Sequence, residues 1–333
     1  MMNLLSTLSL LAEAGSLFFT PSNSVFAPEV DNLFDLIYWI SAFFFVLIVA
    51  VMVYFVVMYR RRPGHSVQPS PSHNNVLEIT WSVLPSFLLV LIFVMGFTGY
   101  MNIRTPPDDA YEIHVYAKKW SWLFQYPNGA ESSDLHIPVG RPVRFILESE
   151  DVIHNMFVPA FRTKMDCVPG RYNEIWVLAD HSTGTGIKDE DHEPTWLFCA
   201  EYCGRDHSNM KAKVFVHETG DFDAWVAKAA NLYEGRTMAE VGELLYKRKG
   251  CISCHSIDGT RKSGPSFKGG FGTAHKMADG SEVVMDENYI RESIRDPRAK
   301  VVAGYEPVMP VFPSSRLSDK DITAISEFIK SLK

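Results

Sequence analysis

Two apolar stretches near the start decide most of what this chain can become. Leu33–Tyr59 and Val76–Met101 are almost wholly apolar, and no Lys or Arg precedes Arg60. Each exceeds the roughly 20 residues a helix needs to cross the hydrocarbon core of a bilayer. A buried soluble helix is the alternative reading, and two such lengths in tandem argue against it. Arg60-Arg61-Arg62 closes the first stretch, so the positive-inside rule predicts a cytoplasmic loop to about Asn75 and both termini outside. Trp81 and Tyr100, near the two ends of the second stretch, suit interfacial anchors. Glu78 sits at its cytoplasmic end, where an acidic group is either a functional candidate or a water-facing residue at headgroup level.

Ahead of this hairpin, Leu4–Leu11 followed by Ala12-Glu13-Ala14 resembles the apolar core and cleavage site of a signal peptide. A basic start is missing, and the expectation is that the segment is retained. After Pro106-Pro107 the pattern changes to period two, beginning with Tyr111–Ala117. Further strands are expected at Trp120–Tyr126, Val143–Leu147, Asn173–Leu178, Thr195–Phe198 and Lys213–Val216. Short strands separated by Gly, Pro and Asp predict an antiparallel sandwich or barrel. His181 and His192 lie in the charged loop Asp180–Glu193 and read as solvated. Gly220–Leu232 reads as a helix, and Thr237-Met-Ala-Glu240 has capping-box spacing. Helices at Glu287–Ile294 and Asp319–Leu332, the latter capped by Ser318, complete a small all-helical unit. The predicted organisation is multidomain: an outer segment 1–31, a transmembrane hairpin 32–104, a β-domain 105–220, a helix and linker 221–236, and a helical domain 237–333.

Charge divides unevenly between these parts. The formal −7 splits into +3 on residues 236–333 and −10 on the remainder, an asymmetry that could draw the tail against the rest. Nothing in this pattern suggests a nucleic-acid partner.

Within this frame, Cys199-Ala-Glu201-Tyr-Cys203-Gly-Arg-Asp-His207-Ser-Asn-Met210 packs two thiols, an imidazole, a thioether and a carboxylate into twelve residues. Soft sulfur with imidazole selects copper, zinc or iron–sulfur chemistry. Two Cys four residues apart let two sulfurs bridge two copper ions; a Cys199–Cys203 disulfide is the plain alternative. A site of that kind needs a remote ligand. His154, in Asp151-Val-Ile-His154-Asn just past a strand, is the best donor for an inter-strand loop to supply.

Cys251-Ile-Ser-Cys254-His255 has the spacing that attaches a c-type haem, with the adjacent His placed to ligate iron. The second ligand comes from downstream. Met277, Met285 and Met309 are the thioethers available, with His275 an outside choice. Met309 stands in the Pro-bracketed loop Tyr305-Glu-Pro-Val-Met309-Pro310, whereas Met277 and Met285 flank the turn at Asp279-Gly280. His/Met ligation raises a haem's potential, as suits an electron carrier. Gly264-Pro265 could offer a carbonyl to the outer nitrogen of His255.

Taken together, the hairpin, the sandwich with His154 and the Cys199–Met210 loop, and Cys251–His255 resemble subunit II of the haem–copper cytochrome c oxidases. The fused haem motif makes the chain similar to the caa3-type subgroup, over nearly all of residues 30–333. The resemblance implies a cupredoxin-like domain and a class I cytochrome c domain. It implies that His154, Cys199, Cys203, His207, Met210 and the Glu201 carbonyl hold a dinuclear CuA centre. The Glu201 side chain would reach magnesium at the subunit I interface. Trp120, rather than its neighbour Trp122, would lie where electrons enter, and Glu78 at the mouth of a proton path into subunit I.

The implied role is electron transfer in a bacterial plasma membrane, with both cofactor domains on the outer, periplasmic face. Electrons would pass from the chain's own haem c to CuA and on to an oxygen-reducing, proton-pumping subunit I. Other oxidase subunits and an upstream donor, a cytochrome c or a quinol-oxidising complex, are the implied partners. A CuA-bearing nitric oxide reductase subunit is the rival within the class, and a membrane-tethered copper-binding protein the rival outside it. Two departures stand out: Cys167 occupies a usually small apolar position and reads as a buried free thiol, and the acidic loop before Trp196 is long.

Overall fold

A computed structural model of the chain describes residues 18–64, 71–183 and 195–332. The Leu4–Leu11 segment and His192 lie outside them. Helices α1 (Ala27–Tyr59) and α2 (Asn75–Arg104) hold 33 and 30 residues, running about 50 and 45 Å at the usual rise, beyond the roughly 30 Å of a bilayer core. Ala27 alone of their residues is buried, and Phe45, Val56, Leu84 and Phe87 all stand open. An apolar surface of that extent needs lipid around it. α1 starts several residues earlier than predicted, with Pro28 in its first turn, where the missing N–H costs nothing.

At the loop end of α2, the Leu77 N–H donates to Asn74 Oδ1 (3.1 Å), and the Asn74 N–H donates to Glu78 Oε1 (3.2 Å). Glu78 therefore helps cap the helix. At the other end the hairpin is tied to the β-domain. Arg162 grips Asp31 at 2.8 and 3.0 Å, Trp176 Nε1 donates to the Asn102 carbonyl (2.8 Å), and Arg104 donates to the Glu174 carbonyl (2.6 Å).

The β-domain contains β1 (Tyr111–Lys118), β2 (Ser121–Gln125), β3 (Glu131–Ser132), β4 (Leu135–Pro138), β5 (Val143–Ser149), β6 (His154–Val158), β7 (Thr163–Cys167), β8 (Asn173–Val177), β9 (Thr195–Cys199) and β10 (Lys211–His217). Two five-stranded sheets face each other, in the orders β3-β2-β1-β5-β8 and β4-β10-β9-β6-β7. The period-two residues Ile113, Val115, Ala117, Phe145 and Leu147 are fully buried between them, as alternation dictates.

The expected antiparallel sandwich needs one amendment. β1 pairs with β5, and β10 with β4, in parallel, because the chain crosses between sheets instead of turning back by a hairpin. Strands β3, β4, β6 and β7 were not foreseen. β6 buries four of its five residues and so shows no alternation to read. His154 consequently opens a strand, where an inter-strand loop was expected.

Beyond the sandwich, α3 (Thr219–Ala230) lays Phe222 against its core. The C-terminal unit comprises α4 (Met238–Arg248), the single turn α5 (Cys251–Cys254), the hairpin β11 (Ala274–Lys276) and β12 (Glu282–Val284), α6 (Glu287–Arg295) and α7 (Asp319–Ser331). The capping boxes at Thr237/Glu240 and Ser318/Asp321 both form. α4 crosses α7 so closely that a Cβ on Gly242 would meet the Ala324 carbonyl oxygen at 2.0 Å. The small hairpin qualifies the all-α expectation; its three-residue, mostly exposed strands carry no apolar alternation.

Candidate metal centre and haem-binding turn

β6 and β9 are neighbours, with Met156 paired opposite Cys199, and this pairing brings two distant sequence motifs together. His154 is fully buried and its Nε2 lies 2.8 Å from Asp151 Oδ1. A carboxylate only accepts, so Nε2 carries a proton, and Nδ1 faces Cys199 Sγ, 3.8 Å away. Burial opposes a charge on His154, but Asp151 and Cys199 together outweigh it and raise its pKa.

The loop after β9 folds back on itself. The Cys199 N–H donates to the Met210 carbonyl and the Ala200 N–H to the Asn155 carbonyl, both at 3.1 Å. Cys199 Sγ and Cys203 Sγ end 3.9 Å apart. Both are free thiols, far from the ~2.05 Å of a disulfide. The remaining donors divide between them. The Glu201 carbonyl lies 3.1 Å from Cys199 Sγ, whereas His207 Nδ1 and Met210 Sδ lie 3.5 and 3.8 Å from Cys203 Sγ. Among the described residues, His154, Cys199 and Cys203 form the one His, Cys, Asp or Glu group whose donor atoms lie within 4.8 Å of one another.

Burial raises both thiol pKa values in the first instance. Hydrogen bonding from His154 reverses this for Cys199, which ends low, while the Cys199 charge adds to burial in holding Cys203 high. Without a cation the pocket thus favours a single thiolate; two thiolates in contact need positive charge between them. Two sulfurs at the centre with separate N/O and N/S partners fit a pair of soft ions better than one. Cys167, opposite His154 across the β6–β7 ladder, is fully buried and free, and burial pushes its thiol up to about 12.

Two tryptophans adjoin this cluster. Trp122 sits edge-on to His154, with ring centroids 6.4 Å apart. Trp120 backs onto Gly204, where a Cβ would lie 3.3 Å from its ring. Trp120 also borders the C-terminal unit: its carbonyl accepts from Ser253 Oγ at 2.9 Å. The Glu201 side chain is exposed. His181, as expected, is exposed and paired with Asp180.

The Cys251–His255 motif begins its own short turn, after the preceding helix closes at Lys249 and Gly250 takes a left-handed φ of +76. His255 Nδ1 faces the Pro265 carbonyl at 2.8 Å, in the segment whose carbonyl was expected to meet this ring. Its ring stacks on Phe267 at 4.5 Å, and Tyr246 donates to its carbonyl at 2.6 Å. Orientation and tautomer are thereby held, with Nε2 free for a metal.

Cys251, His255, Met285 and Met309 line one cavity whose walls include Pro265, Ile290, Ile294 and Ile325. The Cys251 thiol, one imidazole and two thioethers around an apolar space, with Cys254 on the same turn, fit a covalently attached haem. Met309 Sδ lies 3.9 Å from Ser293 Oγ in that cavity. The Asp279-Gly280 turn is exposed, yet Met277 and Met285 beside it are buried at 1 and 3 % exposure, against the expectation that exposure would discount them. Met285 reaches the cavity; Met277 and His275 do not line it. Asp151, Phe267 and Tyr246 were not singled out from the sequence, since their roles depend on neighbours it does not bring together.

A membrane-anchored, cupredoxin-like domain carrying a soft-metal cluster, with a c-type cytochrome unit behind it, defines an electron-transfer class. Family models for the transmembrane domain of cytochrome c oxidase subunit II, for its periplasmic domain, and for cytochrome c match residues 12–98, 129–216 and 239–333 respectively. Cytochrome c oxidase subunit 2 of Alkalihalophilus pseudofirmus is 34% identical over 92% of this chain and 89% of its own length. The Bacillus subtilis subunit 2 is 28% identical over 85% and 82%, and an alternative subunit 2 of Bradyrhizobium diazoefficiens is 29% identical over 59% and 79%. The chain belongs to the cytochrome c oxidase subunit II family, in the form that carries a C-terminal cytochrome c domain.

Proposed function

We propose that the chain receives electrons at a haem held by Cys251, Cys254 and His255, with Met309 as second ligand, and passes them to copper held by the Cys199–Met210 loop. The carrying observation is the division of donors about two sulfurs 3.9 Å apart. His154 and the Glu201 carbonyl serve the Cys199 side; His207 and Met210 serve the Cys203 side. When bound, the haem and the copper pair supply reversible one-electron oxidation and reduction at potentials their ligands tune. The residues' contribution is to hold those ligands still. Asp151 orients His154, the Pro265 carbonyl orients His255, and burial of both Cys side chains excludes water from the sulfurs.

Trp120 lies between the two sites and is the residue through which electrons leave the haem domain. Its ring meets the copper loop at Gly204, and its carbonyl meets the haem turn. From the copper loop, electrons go on to subunit I of the oxidase, where oxygen is reduced and protons are pumped. Glu201, with its carbonyl toward Cys199 and its carboxylate exposed, would hold magnesium at that interface. Glu78 lies at the loop end of α2, suited to a proton path into subunit I. Orientation follows from Arg60–Arg62, which puts both cofactor domains on the outer, periplasmic face of a bacterial plasma membrane. The upstream donor would be a cytochrome c or a quinol-oxidising complex.

Metal analysis of the detergent-purified full chain, matured with haem and copper, tests this. Two coppers and one covalent haem per chain are expected, with a spectrum shared over two equivalent coppers. A single zinc, or a Cys199–Cys203 disulfide after copper loading, would refute it. Nitric oxide reduction without oxygen uptake by the assembled complex would reassign the final acceptor.

A further inference from the structure

The haem turn meets the sandwich through its own backbone. Gly250, immediately before Cys251, has φ +76 and sits so close to β2 that an added Cβ would lie 2.4 Å from Ser121 Oγ and 2.8 Å from Ser121 Cβ. Only glycine meets both demands, a left-handed backbone and no side chain. Ser253, between the two Cys residues, donates to the Trp120 carbonyl at 2.9 Å. Cys254 packs against the sandwich's buried cluster. Charged pairs ring this contact: Lys249–Glu131 at 2.5 Å, Arg205–Glu306 at 3.1 Å, and Arg316–Glu150. Lys118 reaches from β1 to the Phe312 ring, 4.6 Å from its centroid.

From this geometry we infer that Gly250 and Ser253 are positioning residues, docking the thioether-bearing turn on Trp120 and so setting the electron path between the chain's two sites. The inference rests on the function proposed above. The step they serve makes and breaks no bond: one electron is lost on the Cys251–Cys254 side and gained on the Cys199–Cys203 side. The Gly250 contact and the Ser253 hydrogen bond engage two consecutive residues of the sandwich, Ser121 and Trp120. Together they fix both its distance from Trp120 and its angle. The ion pairs, from the half-buried Lys249–Glu131 to the exposed Arg205–Glu306, are less directional; they hold the domains together without aligning them.

The test uses the full chain, loaded with haem and copper, in four variants. Gly250→Val opens the contact from the haem side. Ser121→Leu opens it from the sandwich side without touching the haem turn, so a failure of Gly250→Val to mature does not end the experiment. Ser253→Ala removes the hydrogen bond and Ser253→Thr restores it. Two quantities are read: electron transfer after photoreduction of the haem, and deuterium exchange of amides 118–123 in the same loaded chain.

Ser121→Leu is expected to slow transfer by about tenfold or more, the scale of misplacement by an ångström or so, with copper and haem spectra unchanged and the amides deprotected. Ser253→Ala should slow it several-fold by the same argument, and Ser253→Thr should recover most of that loss. Deprotected amides with parental transfer would overturn the positioning role; protected amides with parental transfer would overturn the docking itself. Failure of the underlying function would look different, as a parent chain that binds no copper or passes no electron while its amides stay protected.

Discussion

The copper loop and the haem turn solve the same problem, holding a metal's ligands, on opposite kinds of scaffold. Around Cys199 and Cys203 every donor is already in contact with one of the two sulfurs, and strands β6 and β9 supply the frame. Around His255 one side is built: the Pro265 carbonyl, Phe267 and Tyr246 hold the imidazole. The other side is a cavity into which both Met285 and Met309 reach from irregular segments. A sheet fixes donors by register, whereas a loop-built cavity takes its final form from the group that fills it. The proposed covalent attachment through Cys251 and Cys254 would suit the second case, because a tethered cofactor cannot leave while the far side adjusts.

The largest effect that would break this contrast comes from the copper loop. Cys203→Ser is expected to abolish the two-copper signature, leaving at most one copper by metal analysis, with the haem spectrum intact. Retention of two coppers would mean that the sulfurs do not bridge. On the haem side, Met309→Leu should remove the sulfur-to-iron absorption band while the haem stays attached, and Met285→Leu should leave the band in place. The reverse outcome would make Met285 the ligand.

A finer test of the sheet-built frame is Asp151→Asn. It keeps the shape but weakens the hold on the His154 tautomer, and about 10- to 100-fold lower copper affinity in a competition titration is expected.

The smallest effect separates the two domains by pH. His136 Nδ1 and His217 Nε2 lie 2.8 Å apart in the sandwich, and His136 stacks on Trp225 of α3 at 3.8 Å. Burial lowers both pKa values from the ordinary 6.5; for His136 the His217 and then the Arg248 charge add to this, and for His217 Asp221 opposes it. The unfolded chain therefore binds more protons than the folded one below pH 6.5. Stability is complete above that value and falls as the pH drops through it, by at most about 1.4 kcal/mol per pH unit for each histidine. Melting of the haem-loaded chain between pH 7.5 and 5 should show the sandwich losing stability with this slope. The double variant His136→Phe/His217→Phe should flatten it.

Much of the molecule is legible from residue order, and the reasons are local. A bilayer span needs only length and apolarity, so the hairpin is visible in Leu33–Tyr59 and Val76–Met101. The capping boxes at Thr237 and Ser318 are four-residue patterns, and both form. Cys251–His255 and the Cys199–Met210 loop carry their donors within single segments. Strand β6 was invisible because nearly all of it is buried, and the two parallel pairings because register across a crossover has no local mark.

What only tertiary structure decided concerns pairs of distant groups. That His154 faces Cys199 follows from β6 lying beside β9. That Met285 reaches the haem cavity, despite flanking an exposed turn, follows from the packing of the small hairpin on the helical core. Gly250 looks like any helix-ending glycine in the sequence; its contact with Ser121 makes it part of a domain interface. Residue order determines which chemistry is present, because ligand type and spacing are properties of short segments. Which donors and domains meet depends on sheet register and close packing, and those are properties of the whole fold.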